Sequence, residues 1–260
     1  MSTATIAIDT TQPAADLKPK EHGAYAIIGI PIVTALIIAG PTVVGLGVAI
    51  ASFAGFFAHE PLLVSIGRRG KRAQRTTPAA TRRLWTLVAL MAVGGLLALF
   101  LGDSTVRISL AICGLLASVS FAIALAGKHK TLGGQLFGVV GLSVPCVPIL
   151  LAGNLSVSVT AEAWATWLIG FASTTMSVRG VIATQKRKPR LLHWSALAAL
   201  SLSVAVLTAG GYRIPIITLP MIAMSWYLMI SPPPAKELKR VGWTLVVGTV
   251  ASAVWMTLQF

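Results

Sequence analysis

The sequence predicts an all-α polytopic membrane protein, a bundle of about nine transmembrane helices with a cytoplasmic N-terminus and an outside C-terminus. Of the 260 residues, 55% are hydrophobic and only 11% are charged, and the mean hydropathy is +0.82. Soluble domains carry about 25% charged residues, so this chain has too little polar surface for a water-soluble globule. The apolar residues form nine runs of helix length, and the basic residues cluster in alternate connections between them.

The nine runs are separated by proline, glycine or charged clusters, as expected for membrane-spanning helices of about 20 apolar residues each. In chain order the predicted spans are 23–40, 43–66, 84–101, 106–126, 133–152, 164–183, 191–208, 214–231 and 241–259. Six tryptophans lie near predicted helix ends, where interfacial indoles are common. They are Trp85, Trp164, Trp167, Trp194, Trp243 and Trp255.

The orientation follows from the tendency of Lys and Arg to remain on the cytoplasmic side. With the N-terminus inside, every Lys and Arg except Arg107 and Arg213 lies in a cytoplasmic segment. The connection at 68–83 alone holds seven of them. A miscounted span would have disturbed this alternation, so the charge pattern supports both the count and the orientation.

The chain divides into a polar tail at 1–17, expected to be disordered, and a single transmembrane domain at 18–260. The tail lacks the basic and apolar regions of a signal peptide. Membrane topology accounts for the net charge of +14 without nucleic acid. We expect the partners to be the lipid bilayer, anionic headgroups at 68–83, and a small amphipathic ligand.

The first candidate site residues are Lys20, Glu21 and His22, in "KEHGAY" at the entrance to the first span. Glu21 in a first helical turn is stabilised by the helix dipole, which is a purely structural explanation. Three ionisable groups beside small residues at a membrane boundary are also suited to a binding site. Both interpretations remain open.

The second candidate group is His59 and Glu60, followed by Pro61, one turn inside the cytoplasmic end of the second span. Ionisable residues at membrane depth are costly and are functional candidates for that reason. Pro61 removes one helical hydrogen bond and favours a kink. The alternative is that Glu60 pairs with Arg68 or Arg69 and holds the basic loop.

The third group is Arg179 with Thr175, close to the cytoplasmic end of the sixth span. Arg179 either extends its side chain to the interface or offers a planar fork to a carboxylate or phosphate. The fifth span contributes the last candidate, Gln135. Pro145 and Pro148 predict that this span is kinked or locally unwound, either as a packing feature or as part of a transport site.

Several kinds of catalytic and metal chemistry lack their usual sequence signals. The chain has no Walker A loop, no G-x-S-x-G and no H-E-x-x-H motif. It has seven acids, and no two of them lie close together in a membrane-proximal segment. Since Mg²⁺ sites need clustered carboxylates, we expect no metal and no cofactor, and we favour a protein that is not an enzyme.

The residues "KEHGAY", then "HEPLL" before a basic loop, resemble the YwiC-like family of bacterial integral membrane proteins. The segments "VRGVIATQKRK" at 178–188 and "PPPAKELKRVGWTLV" at 232–246 fit the same pattern. The resemblance extends from residue 18 onward. It implies a location in the bacterial inner membrane and implies no particular activity.

A weaker resemblance is to UbiA-type prenyltransferases, which also have nine spans and an inside N-terminus. The segment "AHEPLLVSIGRRGKRAQRTTP" occupies the position of their first Asp-rich motif, with Glu60 as its one acid, and 173–190 contains no acid at all. The resemblance therefore implies a UbiA-like bundle whose Mg²⁺ site has been lost.

Three functions follow from these observations. In the first, a cytoplasm-facing cavity binds an anionic or isoprenoid-like amphipathic ligand, with the candidate residues at its mouth. In the second, the chain is a secondary transporter in which His22, His59 and Glu60 relay protons. In the third, it is a non-catalytic partner in the assembly of a membrane complex.

Overall fold

The computed structural model describes residues 17–19 and 22–260, with the backbone alone at positions 22, 235, 238 and 239. The predicted tail lies outside the described residues except for Leu17, and so do the candidate residues Lys20 and Glu21. His22 begins the first helix, and its side chain is not described.

The described chain is helical, with no strand, and this confirms the predicted all-α fold class. The helices are α1 (His22–Ala39), α2 (Val43–Ser65), α3 (Lys71–Thr76), α4 (Ala79–Leu101), α5 (Ser104–Leu125), α6 (Leu132–Ser143), α7 (Cys146–Ala152), α8 (Val157–Gln185), α9 (Leu191–Ala209), α10 (Leu219–Ile230) and α11 (Leu238–Gln259). Two 3₁₀ helices, Ile214–Thr218 and Ala235–Glu237, directly precede α10 and α11. Each of the nine predicted spans corresponds to one helix or to a consecutive pair.

Within the described residues, six helices are long and apolar enough to cross a membrane: α2, α4, α5, the α6–α7 pair, α9 and α11. Two shorter apolar helices, 23–39 and 214–230, correspond to the first and eighth predicted spans. The remaining long helix, α8, corresponds to the sixth predicted span and is 29 residues long but rich in Ser and Thr. It packs against α6, α7, α9, α10 and α11, so protein rather than lipid covers much of its surface.

The fifth span is broken, as its two prolines predict. α6 ends at Ser143, and α7 begins at Cys146 after a turn at Val144 and Pro145. Trp164 of α8 donates a hydrogen bond of 3.1 Å to Ser143 Oγ beside this turn. Cys146, Ile149 and Leu150 are buried there in the apolar core, so the break is packed with apolar side chains.

The most extensive helix contact among the described residues joins α2 and α4, where glycine faces glycine. A Cβ added to Gly94 would lie 2.5 Å from the carbonyl oxygen of Gly47 and 3.0 Å from Ala51 N. Small residues allow backbones to approach in this way, and van der Waals contact then replaces the hydrophobic effect as the force between helices.

α8 and α10 run side by side in the same direction. Met221 Sδ would lie 2.5 Å from a Cβ on Gly170, and Met229 Sδ covers Gly180 in the same manner. The residue numbers of these contacting pairs increase together along both helices, as they must when neighbouring helices are parallel. The sixth and eighth spans are predicted to cross in the same direction, so this packing agrees with the predicted alternation.

One tryptophan departs from its predicted interfacial position. Trp167 is 1% exposed and stacks on Phe171 at a centroid distance of 5.7 Å within the core. The reason is that α8 begins at Val157, seven residues before the predicted start of the sixth span, so Trp167 lies well inside the helix. Trp85 and Trp243 are 67% and 63% exposed at the starts of α4 and α11, as interfacial indoles are expected to be.

The predicted cytoplasmic connections gather at one end of the bundle, named here the basic face. It is formed by the loops 66–78, 126–131, 186–190 and 231–237. Arg179 of α8 reaches the Lys130 carbonyl, and Gln185 donates to the Pro233 carbonyl at 3.3 Å. At the opposite end Gly153 lies against Ala39, with no room for a side chain between them.

Accessibility labelling would test which side of the membrane the basic face occupies. In a background where Cys113 and Cys146 are replaced by alanine, we expect Asn154→Cys to react with an impermeant maleimide in intact cells. Lys71→Cys is expected to react only after permeabilisation. Both positions are exposed on the protein. Labelling of both from the same side would contradict the predicted threading.

Candidate functional site

The buried acid of α2, Glu60, is held by an arginine of the following loop. Its side chain is 5% exposed, and its carboxylate accepts two hydrogen bonds from the Arg69 guanidinium. One runs from Nε to Oε2 at 3.0 Å, and the other joins Nη2 to Oε1. This two-pronged geometry is the strongest form of a carboxylate–arginine pair. It realises the alternative in which Glu60 anchors the basic loop.

The loop folds back on α2 because two glycines reverse the chain. Gly67 and Gly70 have φ angles of 74° and 99°, a region that side chains disfavour. Gln74 of α3 then donates a hydrogen bond of 2.7 Å to the Ser65 carbonyl at the end of α2. The turn brings Arg69 within reach of Glu60 nine positions earlier.

We name the exposed cations of this segment the basic platform. They are Arg68, Lys71, Arg72, Arg75 and Arg82. Thr77 and Ala80, both buried, attach the far end of the loop to the protein. The platform is therefore positively charged and fixed at both ends, and the exposed indole of Trp85 follows it directly in α4.

His59 points to a different neighbour from Glu60. It is half-buried, and its ring meets Phe121 of α5 edge to face at 6.3 Å between centroids. The contact joins the cytoplasmic ends of the second and fourth predicted spans. Pro61 lies inside α2, which continues through it to Ser65.

Arg179 lies in the last third of α8 and reaches the loop between α5 and α6. Its Nη2 is 3.4 Å from the Lys130 carbonyl, while its Nη1 is buried without a hydrogen-bond partner among the described residues. Thr175, one turn earlier, donates its hydroxyl to the Phe171 carbonyl of its own helix at 2.8 Å. Gln135 is half-buried in the first turn of α6, which Thr131 caps through the Gly134 amide.

The structure separates the predicted site residues into two groups. Glu60 is bound to Arg69 at the end of α2, whereas Arg179 joins residues of α9 and of the α5–α6 loop. No hydrogen bond or ion pair among the described residues connects Glu60 with Arg179. Direct contacts therefore do not bring all the candidate site residues together at the mouth of one cavity.

Sequence reasoning did not single out Arg190 and His193, which lie beside Arg179. His193 interacts electrostatically with both arginines. A Cβ added to Gly180 would lie 3.5 Å from His193 Cβ, which shows how closely α8 and α9 approach. The available signal was the spacing of "RLLH" at 190–193, which places two basic side chains on one face of a helix start.

The described residues form a surface groove and a smaller pocket, and neither of these is lined by a predicted site residue. A groove of about 560 Å³ follows the outer surface of α9, lined by Ala199, Leu202, Ser203, Val206 and Leu207. A pocket of about 200 Å³ lies at the end of α10, near Tyr227, Ser231 and Pro233. The groove faces outward on an apolar helix, where lipid chains are the expected occupants.

The described carboxylates do not suit the Mg²⁺ site that a UbiA-type enzyme would need. Glu60 is occupied by Arg69, and Glu237 accepts from Arg240 at 3.0 Å. Asp103 caps α5 at the opposite end of the bundle, and Glu162 lies near the start of α8. No group of three metal-ligating side chains occurs in the described part of the chain.

Comparison with protein-family models matches residues 19–150 to the family described as YwiC-like protein. The matched segment runs from the start of α1 into α7 and includes Glu60, the basic platform and Gln135. No curated protein and no solved structure matches the chain. The resemblance to UbiA-type prenyltransferases therefore stays a prediction.

Proposed function

The chain belongs to the YwiC-like family, and from that premise we propose that it binds an anionic, amphipathic ligand at its basic face in the bacterial inner membrane. It is a membrane protein with several apolar helices. The ligand that fits best is a lipid or lipid-like molecule with an anionic headgroup, taken from the cytoplasmic leaflet.

The observation that carries this proposal is the contact between Arg69 and Glu60, the one acid of α2, which is buried. A carboxylate that is 5% exposed binds Arg69 through two hydrogen bonds and so fixes the loop in place. Five exposed cations of the same segment are left facing outward. Cations near an anionic membrane surface each contribute about 1 kcal/mol of attraction. A fixed array of them binds anions at a lower entropy cost than a flexible loop does.

In this proposal the described candidate residues contribute by their positions near the basic face, and they do not line one cavity mouth as the sequence predicts. Glu60 positions the platform, and His59 and Arg179 lie along the same face with Thr175 and Gln135 deeper in the bundle. Lys20 and Glu21 precede His22, the first residue of α1, in the sequence. In the proposal these three residues add a cation, an acid and an imidazole to the rim of this face.

The transport hypothesis has less support from the geometry. A proton relay needs a carboxylate that can exchange its proton, whereas both oxygens of Glu60 are engaged by Arg69. The broken fifth span, the other basis of that hypothesis, is packed with apolar side chains. A role as an assembly partner would use the same platform against an acidic protein surface.

Neutralising three platform cations tests the proposal. We expect Lys71→Gln, Arg72→Gln and Arg75→Gln together to weaken retention of phosphatidylglycerol by roughly tenfold or more, because each charge contributes about 1 kcal/mol. Native mass spectrometry of protein from mixed phosphatidylcholine and phosphatidylglycerol nanodiscs measures this retention. The effect should shrink as salt is raised.

The charge-matched control is the triple variant Lys186→Gln, Arg187→Gln and Lys188→Gln. These residues are also exposed at the basic face, in the loop between α8 and α9. We expect this variant to retain phosphatidylglycerol to within about twofold of the unmodified protein. Equal losses in both triple variants would mean that net charge, and not the platform, holds the lipid.

A further inference from the structure

Three basic side chains converge where α8, α9 and α10 meet at the basic face. Arg179 comes from α8, Arg190 directly precedes α9, and His193 lies in the first turn of α9. His193 interacts electrostatically with both arginines. Gly180 allows α8 and α10 to come this close, since Met229 packs where its side chain would be, while His193 Cβ would lie 3.5 Å from an added Cβ.

Each arginine is already fixed by other contacts. Arg190 donates through Nη2 to the Met229 carbonyl, and its guanidinium lies 5.3 Å from the ring centroid of Trp194. Arg179 Nη2 faces the Lys130 carbonyl at 3.4 Å. Side chains held in this way lose little further entropy when they bind a ligand.

The contacts leave three nitrogen atoms without a partner. Arg179 Nη1, Arg190 Nε and His193 Nδ1 are buried and make no hydrogen bond within the described residues. Buried polar atoms in native proteins are nearly always hydrogen-bonded, and an unpaired charged donor is the costliest exception. Two of these atoms belong to guanidinium groups, which are permanently charged.

No described acid neutralises this cluster. Glu60 is bound to Arg69 and Glu237 to Arg240, while Asp103 and Glu162 belong to helix starts at the other end of the bundle. Glu162 is 17 positions from Arg179, about 25 Å along an α-helix. Two guanidinium groups and an imidazole are thus brought together with no carboxylate counter-charge among the described residues.

We propose that Arg179, Arg190 and His193 form a binding site for a tetrahedral oxyanion of the phosphate type. Such an anion offers several oxygen atoms at once and accepts hydrogen bonds from both guanidinium groups. His193 adds a third donor when Nδ1 carries a proton. The site is separate from the basic platform, so the proposal goes beyond the function given above.

The phosphate can belong to a lipid headgroup or to a small soluble molecule. Both sources are compatible with a site at the headgroup level of the bundle, beside the exposed residues Lys186, Arg187 and Lys188. In either case the three buried nitrogen atoms provide the specific contacts.

The test compares binding of two probes by the full chain in detergent. Inorganic phosphate is titrated by isothermal calorimetry, and phosphatidylglycerol retention is measured by native mass spectrometry. We expect Arg179→Gln and Arg190→Gln each to weaken at least one probe by about tenfold or more, since charge-assisted hydrogen bonds are lost. Loss of lipid alone identifies a headgroup as the source. Loss of phosphate binding identifies a soluble oxyanion.

Two further variants make the test decisive. Lys186→Gln removes an exposed cation of the same region and should leave both probes within about twofold of the unmodified protein. Arg190→Lys keeps the charge but lacks the Nε donor, so it should lose nearly as much as Arg190→Gln if the fork matters. Size-exclusion chromatography confirms that each variant is folded. Unchanged binding in folded Arg179→Gln and Arg190→Gln, or an equal loss in Lys186→Gln, would overturn the proposal.

The result of this test can be distinguished from the result of the test on the basic platform. The platform triple variant leaves Arg179, Arg190 and His193 intact, so its titration with inorganic phosphate should match that of the unmodified protein. Failure of the platform variants together with success here would reject the first proposal and keep the second.

Discussion

Replacing Gly94 with alanine is expected to destabilise the protein by about 1–3 kcal/mol, the usual cost of overpacking a tight contact. The added Cβ would lie 2.5 Å from the Gly47 carbonyl oxygen and 3.0 Å from Ala51 N. Both are backbone atoms, so α2 and α4 must move apart to make room. A larger residue such as leucine should cause a greater loss. The thermal unfolding midpoint in detergent measures the change.

The neighbouring glycine provides the control on the same helix. Apart from its chain neighbours and the backbone of its own helix, no described atom lies within 4 Å of the position that a Gly95 Cβ would take. Alanine is favoured over glycine in a helix by about 0.8–1.0 kcal/mol, so Gly95→Ala should leave the midpoint unchanged or raise it. Equal losses from Gly94→Ala and Gly95→Ala would show that the helices do not meet at Gly94.

Removal of the Glu60 carboxylate is expected to release the basic loop. Hydrogen bonds to charged groups contribute about 1.5–3 kcal/mol. Arg69 is one-third exposed, so we expect Glu60→Gln to fall toward the lower end of that range. The loop should then open roughly tenfold more often, because 1.4 kcal/mol corresponds to a factor of ten. Trypsin, which cleaves after Lys and Arg, measures this opening through its cutting rate at 66–78.

A double-mutant cycle assigns the effect to the pair itself. Glu60→Gln and Arg69→Gln should each speed cleavage after Lys71, Arg72 and Arg75, the sites in 66–78 that every variant keeps. The double variant should be little worse than either single variant. Arg68→Gln is the control because Arg68 is exposed beside Arg69 and makes no ion pair among the described residues. If Arg68→Gln accelerated cleavage as much as Glu60→Gln, the Glu60–Arg69 anchor would be wrong.

The helices of this protein were predictable because membrane insertion depends on local composition. The apolar composition of about 20 consecutive residues is enough to identify each predicted span. Pro145 and Pro148 predicted the break in the fifth span. Boundaries were harder where protein replaces lipid as the neighbour. α8 begins seven residues before its predicted start and tolerates many hydroxyl groups, since it lies among other helices.

The candidate site could be predicted only in part, because a residue's partner depends on packing. The sequence left two roles open for Glu60, that of a site residue and that of an anchor for the basic loop. The turn made by Gly67 and Gly70 brings Arg69 to Glu60 and favours the anchor. Arg179 was identified by its charge at membrane depth. His193 was missed because its closeness to Arg179 depends on how α8 and α9 approach at Gly180.

By itself the sequence therefore determined an all-α membrane protein, and it predicted nine spans with the cations on alternate connections. Hydropathy and charge act on each segment separately, so no knowledge of neighbours was required. The tertiary structure alone decided that Glu60 anchors a loop and that Arg179, Arg190 and His193 converge without an acid. Those facts depend on close contacts between helices, and such contacts arise only when the whole bundle packs.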